Sequence, residues 1–237
     1  LFIRKRSGRS LPASEFMKPA AALFDFDGTL VDTEGPDCAL ISRMLLEVGI
    51  RKTPNEVMKD FIGLPRTEIE EAILAHYGVQ VPLDWHPRYI EERSKLEDHM
   101  IVTPGIEDAL RRLQNSGVQL GVASNSYEPR LKRVLAKSGL ETWFGDRLFH
   151  LDQGSRRKPA PDIYLFALRS LGISPEEAVA VEDSPLGVQA AVAAGIRCIG
   201  FTGHNHVGEA IDQELLQAGA FVLEPDMGKV TDLILKG

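Results

Sequence analysis

The sequence lacks the features of a disulfide-rich, membrane-spanning or nucleic-acid-binding protein. Its 237 residues include only two cysteines, Cys38 and Cys198, both in apolar surroundings, so we expect no disulfide framework and a reducing, cytoplasmic location. The longest apolar stretches, such as residues 190–196, fall far short of a bilayer span. With 27 basic and 34 acidic residues the net charge is −7, which does not favour broad binding to phosphate backbones. We therefore expect neither membrane nor nucleic acid as a partner, and a monomer.

The composition is otherwise that of a globular protein, with 43% hydrophobic and 26% charged residues. The length predicts one large α/β domain or a main domain with a smaller insertion. Residues 1–16 differ from the rest, because they are rich in arginine and contain a single acidic residue, Glu15. We expect a leader or disordered tail there, with the natural start at Met17. An arginine-rich transit peptide is the alternative.

From residue 20 onward, short apolar runs alternate with amphipathic helical patterns. The predicted strands are residues 20–26, 118–123, 147–149, 178–181 and 197–200. This alternation is typical of an α/β fold, a Rossmann-like parallel sheet flanked by helices.

One stretch breaks the alternation. Residues 34–100 contain four helical patterns, near residues 37–48, 54–60, 66–77 and 84–98, and no convincing strand. We interpret residues 34–100 as an inserted helical cap, and residues 17–33 with 101–237 as the Rossmann-like catalytic core. Inserted just after the first strand, the cap would cover the sheet edge at which open α/β folds bind ligands.

Two carboxylates end the first predicted strand. Asp25 and Asp27 stand two positions apart, next to Gly28, which allows a sharp turn. Such a pair repels itself unless a cation or a shared proton is present, which favours a divalent metal, most plausibly Mg²⁺. A pair of turn or capping aspartates is the alternative if the motif is taken alone.

Polar groups also stand at or just beyond the other predicted strands. They supply a hydroxyl, an amide, an ammonium and two more carboxylates: Ser124, Asn125, Lys158, Glu182 and Asp183. Because the carboxyl ends of parallel strands share one edge of a sheet, we expect these groups to converge with the first pair. Their composition predicts a phosphoryl-transfer site.

Four segments in order resemble the motifs of the haloacid dehalogenase superfamily. They read DFDGTLVDTE at residues 25–34, SN at 124–125, KPAPD at 158–162 and EDSPLG at 182–187. The helical insertion is similar to the small cap of the phosphatase and β-phosphoglucomutase branch. The resemblance implies a Mg²⁺-dependent phosphatase that hydrolyses a small phosphorylated metabolite, preferably a sugar phosphate, through an aspartyl-phosphate.

Roles for individual residues follow from that resemblance. Asp25 would be the nucleophile and Asp27 the general acid and base. Lys158 and the Ser124 hydroxyl would neutralise the phosphoryl group during transfer. The resemblance also implies a Mg²⁺ site formed by Asp25, the Asp27 carbonyl and Asp183. Glu182 is left open, either as a further ligand or as a scaffold residue bonded to Ser124 or Lys158.

Substrate choice is expected to depend on the cap, with Asn125 of the core and Arg66 of the cap contacting the substrate. Arg66 lies in a loop-like segment, and the mutase branch uses a cap arginine for a second phosphate; a surface arginine is the other reading. A sugar phosphomutase therefore stays as an alternative, although the GTLVDTE segment resembles the phosphatase branch. A non-catalytic protein that binds a phosphometabolite is a further alternative. A dehalogenase is disfavoured, because that branch lacks the carboxylate supplied here by Asp27.

Overall fold

Six parallel strands form the central sheet of the protein. The computed structural model describes residues 18–61, 68–97, 100–154, 156–204 and 209–236. The chain order of all strands is β1 (Ala21–Phe24), β2 (Val31–Asp32), β3 (Ile101–Val102), β4 (Gln119–Ala123), β5 (Leu148–Phe149), β6 (Ala178–Glu182), β7 (Arg197–Phe201) and β8 (Val222–Glu224). The sheet has the order β5-β4-β1-β6-β7-β8, and β2 and β3 pair separately. The predicted α/β fold class with a parallel sheet is confirmed.

The first strand lies in the middle of the sheet, and this position determines where the site forms. Phe24 is in register with Val122 on one side and with Val181 on the other. The residues that follow β1, β4 and β6 therefore come together at one edge. The alternation of side chains along β1 buries both faces: Phe24 packs in one apolar cluster and Leu23 in the other.

Eleven helices occur in the described part of the chain. They are α1 (Glu34–Glu47), α2 (Pro54–Phe61), α3 (Ile69–Tyr77), α4 (Trp85–Leu96), α5 (Ile106–Asn115), α6 (Glu128–Ser138), α7 (Glu141–Phe144), α8 (Asp162–Leu171), α9 (Pro185–Ala193), α10 (Glu209–Ala218) and α11 (Met227–Lys236). Several end at a glycine with positive φ, such as Gly139 and Gly172, which accepts the left-handed conformation that closes a helix. Among the described residues, no helix combines the length and the apolar character needed to cross a membrane.

Helices α1 to α4 share an apolar core of their own. Trp85 is 1% exposed and stacks on Tyr89 with 5.8 Å between ring centroids. The chain enters this helical segment through β2 and leaves it through β3, and the two strands pair side by side with Val31 opposite Val102. The helical segment is thus joined to the rest of the chain by two adjacent, paired strands.

Candidate active site

A sharp turn carries Asp25 and Asp27 directly beyond the end of β1. The backbone amide of Asp25 still donates to Val181 O at 2.9 Å, which extends the sheet pairing by one residue. The chain then reverses, with Gly28 N donating to Val31 O at 2.8 Å. Gly28 has φ +80°, a conformation that residues with a Cβ avoid. The first carboxylate is therefore held on the rigid strand end and the second on the turn.

Lys158 joins three strand ends through its ammonium group. Its Nζ atom donates to Asp25 Oδ1 at 2.5 Å, to Glu182 Oε1 at 2.5 Å and to Ala123 O at 2.7 Å. Burial alone would lower the pKa of Lys158, but the charges of Asp25 and Glu182 outweigh it and raise the pKa above its usual value. The lysine is thus a buried cation compensated by two carboxylates.

Asn125 holds the backbone that carries this lysine. Its Oδ1 atom accepts a hydrogen bond from the Lys158 amide at 2.8 Å. Ser124 is 1% exposed, and its Oγ atom accepts from the Ser126 amide at 3.0 Å, so its hydroxyl proton remains available for a further acceptor. The structure thus brings both predicted residues to the edge that contains Asp25.

Burial changes the proton affinity of Asp25. It raises the pKa of Asp25 to about 8, with Lys158 opposing the shift and the negative charges of Glu182 and Asp27 adding to it. A carboxyl group in this environment is mostly protonated at neutral pH when no metal is bound. A divalent cation beside it would favour the ionised form, since an opposite charge lowers the pKa of an acid.

The carboxylates of Asp25, Glu182 and Asp183 form a candidate metal cluster, with one oxygen from each lying within 4.8 Å of the others. Among the described residues, Glu182 Oε2 is buried without a hydrogen-bond donor. Gly187 leaves room for it, because a Cβ there would lie 1.8 Å from this oxygen. Hard carboxylate oxygens are the donors that Mg²⁺ prefers, so the residues present fit this ion.

Glu182 also has a scaffold contact. Its Oε1 atom accepts from both Lys158 and the Tyr164 hydroxyl, the latter at 2.5 Å. Of the two partners considered for it from the sequence, Lys158 is thus found in contact. Tyr164 was not expected in the site, because at its position on α8 it resembles an ordinary apolar core residue.

Asp27 has a different environment from Asp25. Arg130 donates to both of its oxygens, from Nη1 at 2.7 Å and from Nη2 at 2.6 Å, and the Ser126 hydroxyl donates to Oδ2 at 3.0 Å. Burial alone would raise the pKa of Asp27, but the charge and hydrogen bonds of Arg130 outweigh it and hold the pKa well below its usual range. The two neighbouring carboxylates therefore differ in proton affinity because their environments differ: burial dominates at Asp25 and the Arg130 contact dominates at Asp27.

Sequence reasoning missed Arg130 and Ser126. Both follow the second motif near the start of α6, where a serine and an arginine resemble surface or capping residues. Ser126 lies in the bend before α6 and Arg130 in the first turn of that helix, so no helical spacing connected them. Arg66, predicted to bind substrate, lies outside the described residues, as do residues 1–16.

The chain matches the model of a known family. The model for haloacid dehalogenase-like hydrolases matches residues 22–201, which include all four motifs. The match thus covers most of the chain.

Curated relatives and a solved structure agree with this match. The phosphoglycolate phosphatase of Pseudomonas putida is 32% identical over 208 residues, covering 83% of this chain and 74% of that protein. The phosphorylated carbohydrates phosphatase of Thermotoga maritima is 31% identical over 206 residues, covering 86% of this chain and 93% of that protein. The crystal structure of a haloacid dehalogenase-like protein of unknown function from Agrobacterium tumefaciens matches with a TM-score of 0.84 at 30% identity. The match covers 91% of this chain and 97% of that one. The chain belongs to the haloacid dehalogenase-like hydrolases and is a phosphatase of that family, a phosphoric monoester hydrolase.

Proposed function

We propose that this phosphatase hydrolyses a small phosphorylated metabolite, with sugar phosphates as the first class, through an aspartyl-phosphate on Asp25. The single observation that carries the proposal is the contact between Asp25, Lys158 and Glu182 at the end of the central strand. A nucleophile at a rigid strand end beside a buried cation suits the transfer of a doubly charged phosphoryl group. The names of the two curated relatives support the substrate class.

In the first step, a carboxylate oxygen of Asp25 attacks phosphorus and the bond from phosphorus to the leaving oxygen breaks. Asp27 donates a proton to that oxygen, so that the substrate leaves as an alcohol. Lys158 and the Ser124 hydroxyl neutralise the oxygens of the group in transfer. Asp27 must bind a proton before this step, and its contact with Arg130 opposes that.

In the second step, water attacks phosphorus, and phosphate and free Asp25 are released. Asp27 accepts the proton of this water, and in its ionised state beside Arg130 it is ready for this role. The same carboxyl group thus gives a proton in one step and takes one in the next.

Mg²⁺ is the proposed cofactor. Asp25, Asp183 and the carbonyl of Asp27 would hold it, with Glu182 as a ligand or as a neighbour that orients the others. When bound, it supplies positive charge beside the transferring phosphoryl oxygens. Lys158 alone cannot supply this positive charge, because its ammonium group is already paired with the carboxylates of Asp25 and Glu182.

The test is phosphate release from a panel of sugar phosphates and phosphoglycolate, with and without Mg²⁺, for wild type and Asp25→Asn. The expected result is Mg²⁺-dependent release that Asp25→Asn abolishes. Asp108→Asn is a matched control, because Asp108 is an exposed carboxylate on α5 paired with Arg111, and it should keep full activity. Absence of release from every substrate would overturn the proposal. Isomerisation of a hexose phosphate after bisphosphate priming would instead assign the chain as a mutase.

A further inference from the structure

The carboxylate of Asp27 is fixed by one arginine. Arg130 approaches it with two nitrogens, and the Ser126 hydroxyl donates to the same carboxylate while accepting from Arg130 Nη1 at 2.5 Å. A two-point contact of this kind fixes orientation as well as charge, because the planar guanidinium matches the plane of a carboxylate. The Asp27 side chain is still 29% exposed, so it can reach water in the site.

Arg130 is itself fixed by a residue of the cap. Its Nε atom donates to Glu97 Oε1 at 2.6 Å. Glu97 directly follows α4, the last cap helix, and its side chain is only 3% exposed. The guanidinium carbon also lies 5.8 Å from the centre of the ring of Phe26, the residue that separates Asp25 and Asp27 in the sequence. Arg130 therefore connects the turn after β1 to the end of the cap.

We infer that Arg130 is a positioning residue, which holds Asp27 in the orientation needed to deprotonate the water that hydrolyses the aspartyl-phosphate, with Glu97 of the cap fixing Arg130. The inference rests on the proposed function, since it takes Asp27 as the base. A base must lie within hydrogen-bond reach of the proton that it removes, and a freely rotating carboxylate would be in that position only part of the time.

The contacts of Arg130 argue against direct substrate binding. Its Nε, Nη1 and Nη2 atoms all donate to side chains already, and the side chain is 16% exposed. One of its five N–H groups, on Nη2, has no such acceptor among the described residues, so a two-point contact with a substrate anion would require Arg130 to give up Asp27, Ser126 or Glu97. Its effect should consequently fall on a chemical step and not on substrate affinity.

The experiment compares the two steps in Arg130→Lys with p-nitrophenyl phosphate and Mg²⁺. The leaving group of this substrate needs no proton, so the first step does not depend on Asp27, whereas the second step does. We expect the first-turnover rate of p-nitrophenolate release to change less than about 3-fold and the steady-state rate to fall about 10- to 100-fold. Phosphoenzyme should accumulate, detected by mass spectrometry after acid quench as one added phosphoryl group per chain.

Arg133→Lys is the matched control. Arg133 lies one turn further along α6 and also donates to Glu97, but it makes no contact with Asp27 among the described residues. It should keep both rates within about 2-fold of wild type. Glu97→Gln keeps an acceptor for Arg130 and should produce a smaller accumulation of phosphoenzyme than Arg130→Lys.

Three outcomes of the rate measurements would overturn the inference: an equal fall of both rates in Arg130→Lys, no fall of either rate, or the same fall of the steady-state rate in Arg133→Lys. An equal fall of both rates would mean that Arg130 has a structural role. In that case Mg²⁺ should also raise the melting temperature of Arg130→Lys less than that of wild type, because the folded site would be lost. Failure of the proposed function is distinguishable, because wild type would then release no phosphate. If wild type turns over and Asp25→Asn does not, an absence of phosphoenzyme in Arg130→Lys counts against the positioning role alone.

Discussion

Gly28 lies directly against the carboxylate of Asp183: a Cβ atom built on the glycine would be 1.9 Å from Asp183 Oδ2. The turn after β1 is thus packed onto the residue that follows β6. No side chain larger than hydrogen fits between the two segments. The closeness of the first and fourth motifs therefore depends on this glycine.

Gly28→Ala should weaken Mg²⁺ binding by about 10- to 100-fold, because Asp183 has to move away from the new methyl group. The substitution also places a Cβ at φ +80°, which costs about 1–2 kcal/mol of folding free energy. Gly49→Ala separates the two effects, since Gly49 has φ +84° and nothing within 4 Å of the added Cβ. Calorimetric titration of both variants measures their Mg²⁺ affinity, and urea unfolding measures their stability. Equal Mg²⁺ affinity in the two variants would show that the contact with Asp183 is unimportant.

Lys158→Met should lower the free energy of unfolding of the metal-free protein by about 3–5 kcal/mol, because it leaves buried carboxylates without their cation. Mg²⁺ should then stabilise the variant more than it stabilises wild type, since the ion would meet less positive charge. The control is Lys132→Met, which breaks an exposed pair with Glu128 and should lower the free energy of unfolding far less, because solvent screens that pair. Urea unfolding with and without Mg²⁺ measures all of these. A loss in Lys158→Met no larger than that of the control would contradict the prediction.

Tyr164→Phe should lower the free energy of unfolding by about 1.5–3 kcal/mol, because Glu182 loses a buried donor to a charged oxygen. Tyr127→Phe serves as the control, since Tyr127 is 57% exposed, and it should change stability by less than about 0.5 kcal/mol. Denaturant unfolding of both variants is the measurement. Equal stability of Tyr164→Phe and wild type would mean that the Glu182 contact contributes nothing.

Much of the fold could be predicted because its signals are local. The five predicted strands are buried apolar runs, and they correspond to β1, β4, β5, β6 and β7. The missed strands are different in kind. β8 has three partly buried residues at the edge of the sheet, and β2 and β3 have two residues each, too few to show a period of alternation. Their existence depends on tertiary pairing.

The candidate site shows the same division. Residues directly after a strand, such as Asp25 and Glu182, could be placed at one edge from topology alone. The residues that determine the protonation of these carboxylates could not be placed in this way. Arg130 and Tyr164 lie on helices whose rotation about their axes decides which side chain faces the site, and that rotation depends on packing across the whole sheet.

The metal-free protein should lose stability as the pH rises toward 8. Burial raises the pKa of Asp25 to about 8 from a usual value near 4, so the folded state binds this proton more tightly than the unfolded state. The resulting stabilisation is fully present below about pH 4 and is lost as the pH rises through about 8. Urea unfolding of wild type and Asp25→Asn in EDTA across this window isolates the contribution. The free energy of unfolding of wild type should fall steadily relative to that of Asp25→Asn as the pH rises, and a relative stability independent of pH would contradict the raised pKa.

Mg²⁺ affinity should rise by about tenfold per pH unit between pH 6 and pH 8 and level off above that, because the proton on Asp25 must leave before the ion can bind. Calorimetry at pH 6.5 in two buffers of different ionisation enthalpy should detect the release of nearly one proton per bound ion. At pH 9 the same titration should show almost none, since Asp25 is then already ionised. An affinity that does not vary with pH would contradict the prediction. It would mean that Asp25 releases no proton when Mg²⁺ binds, and that the ion is held by oxygens other than those of Asp25.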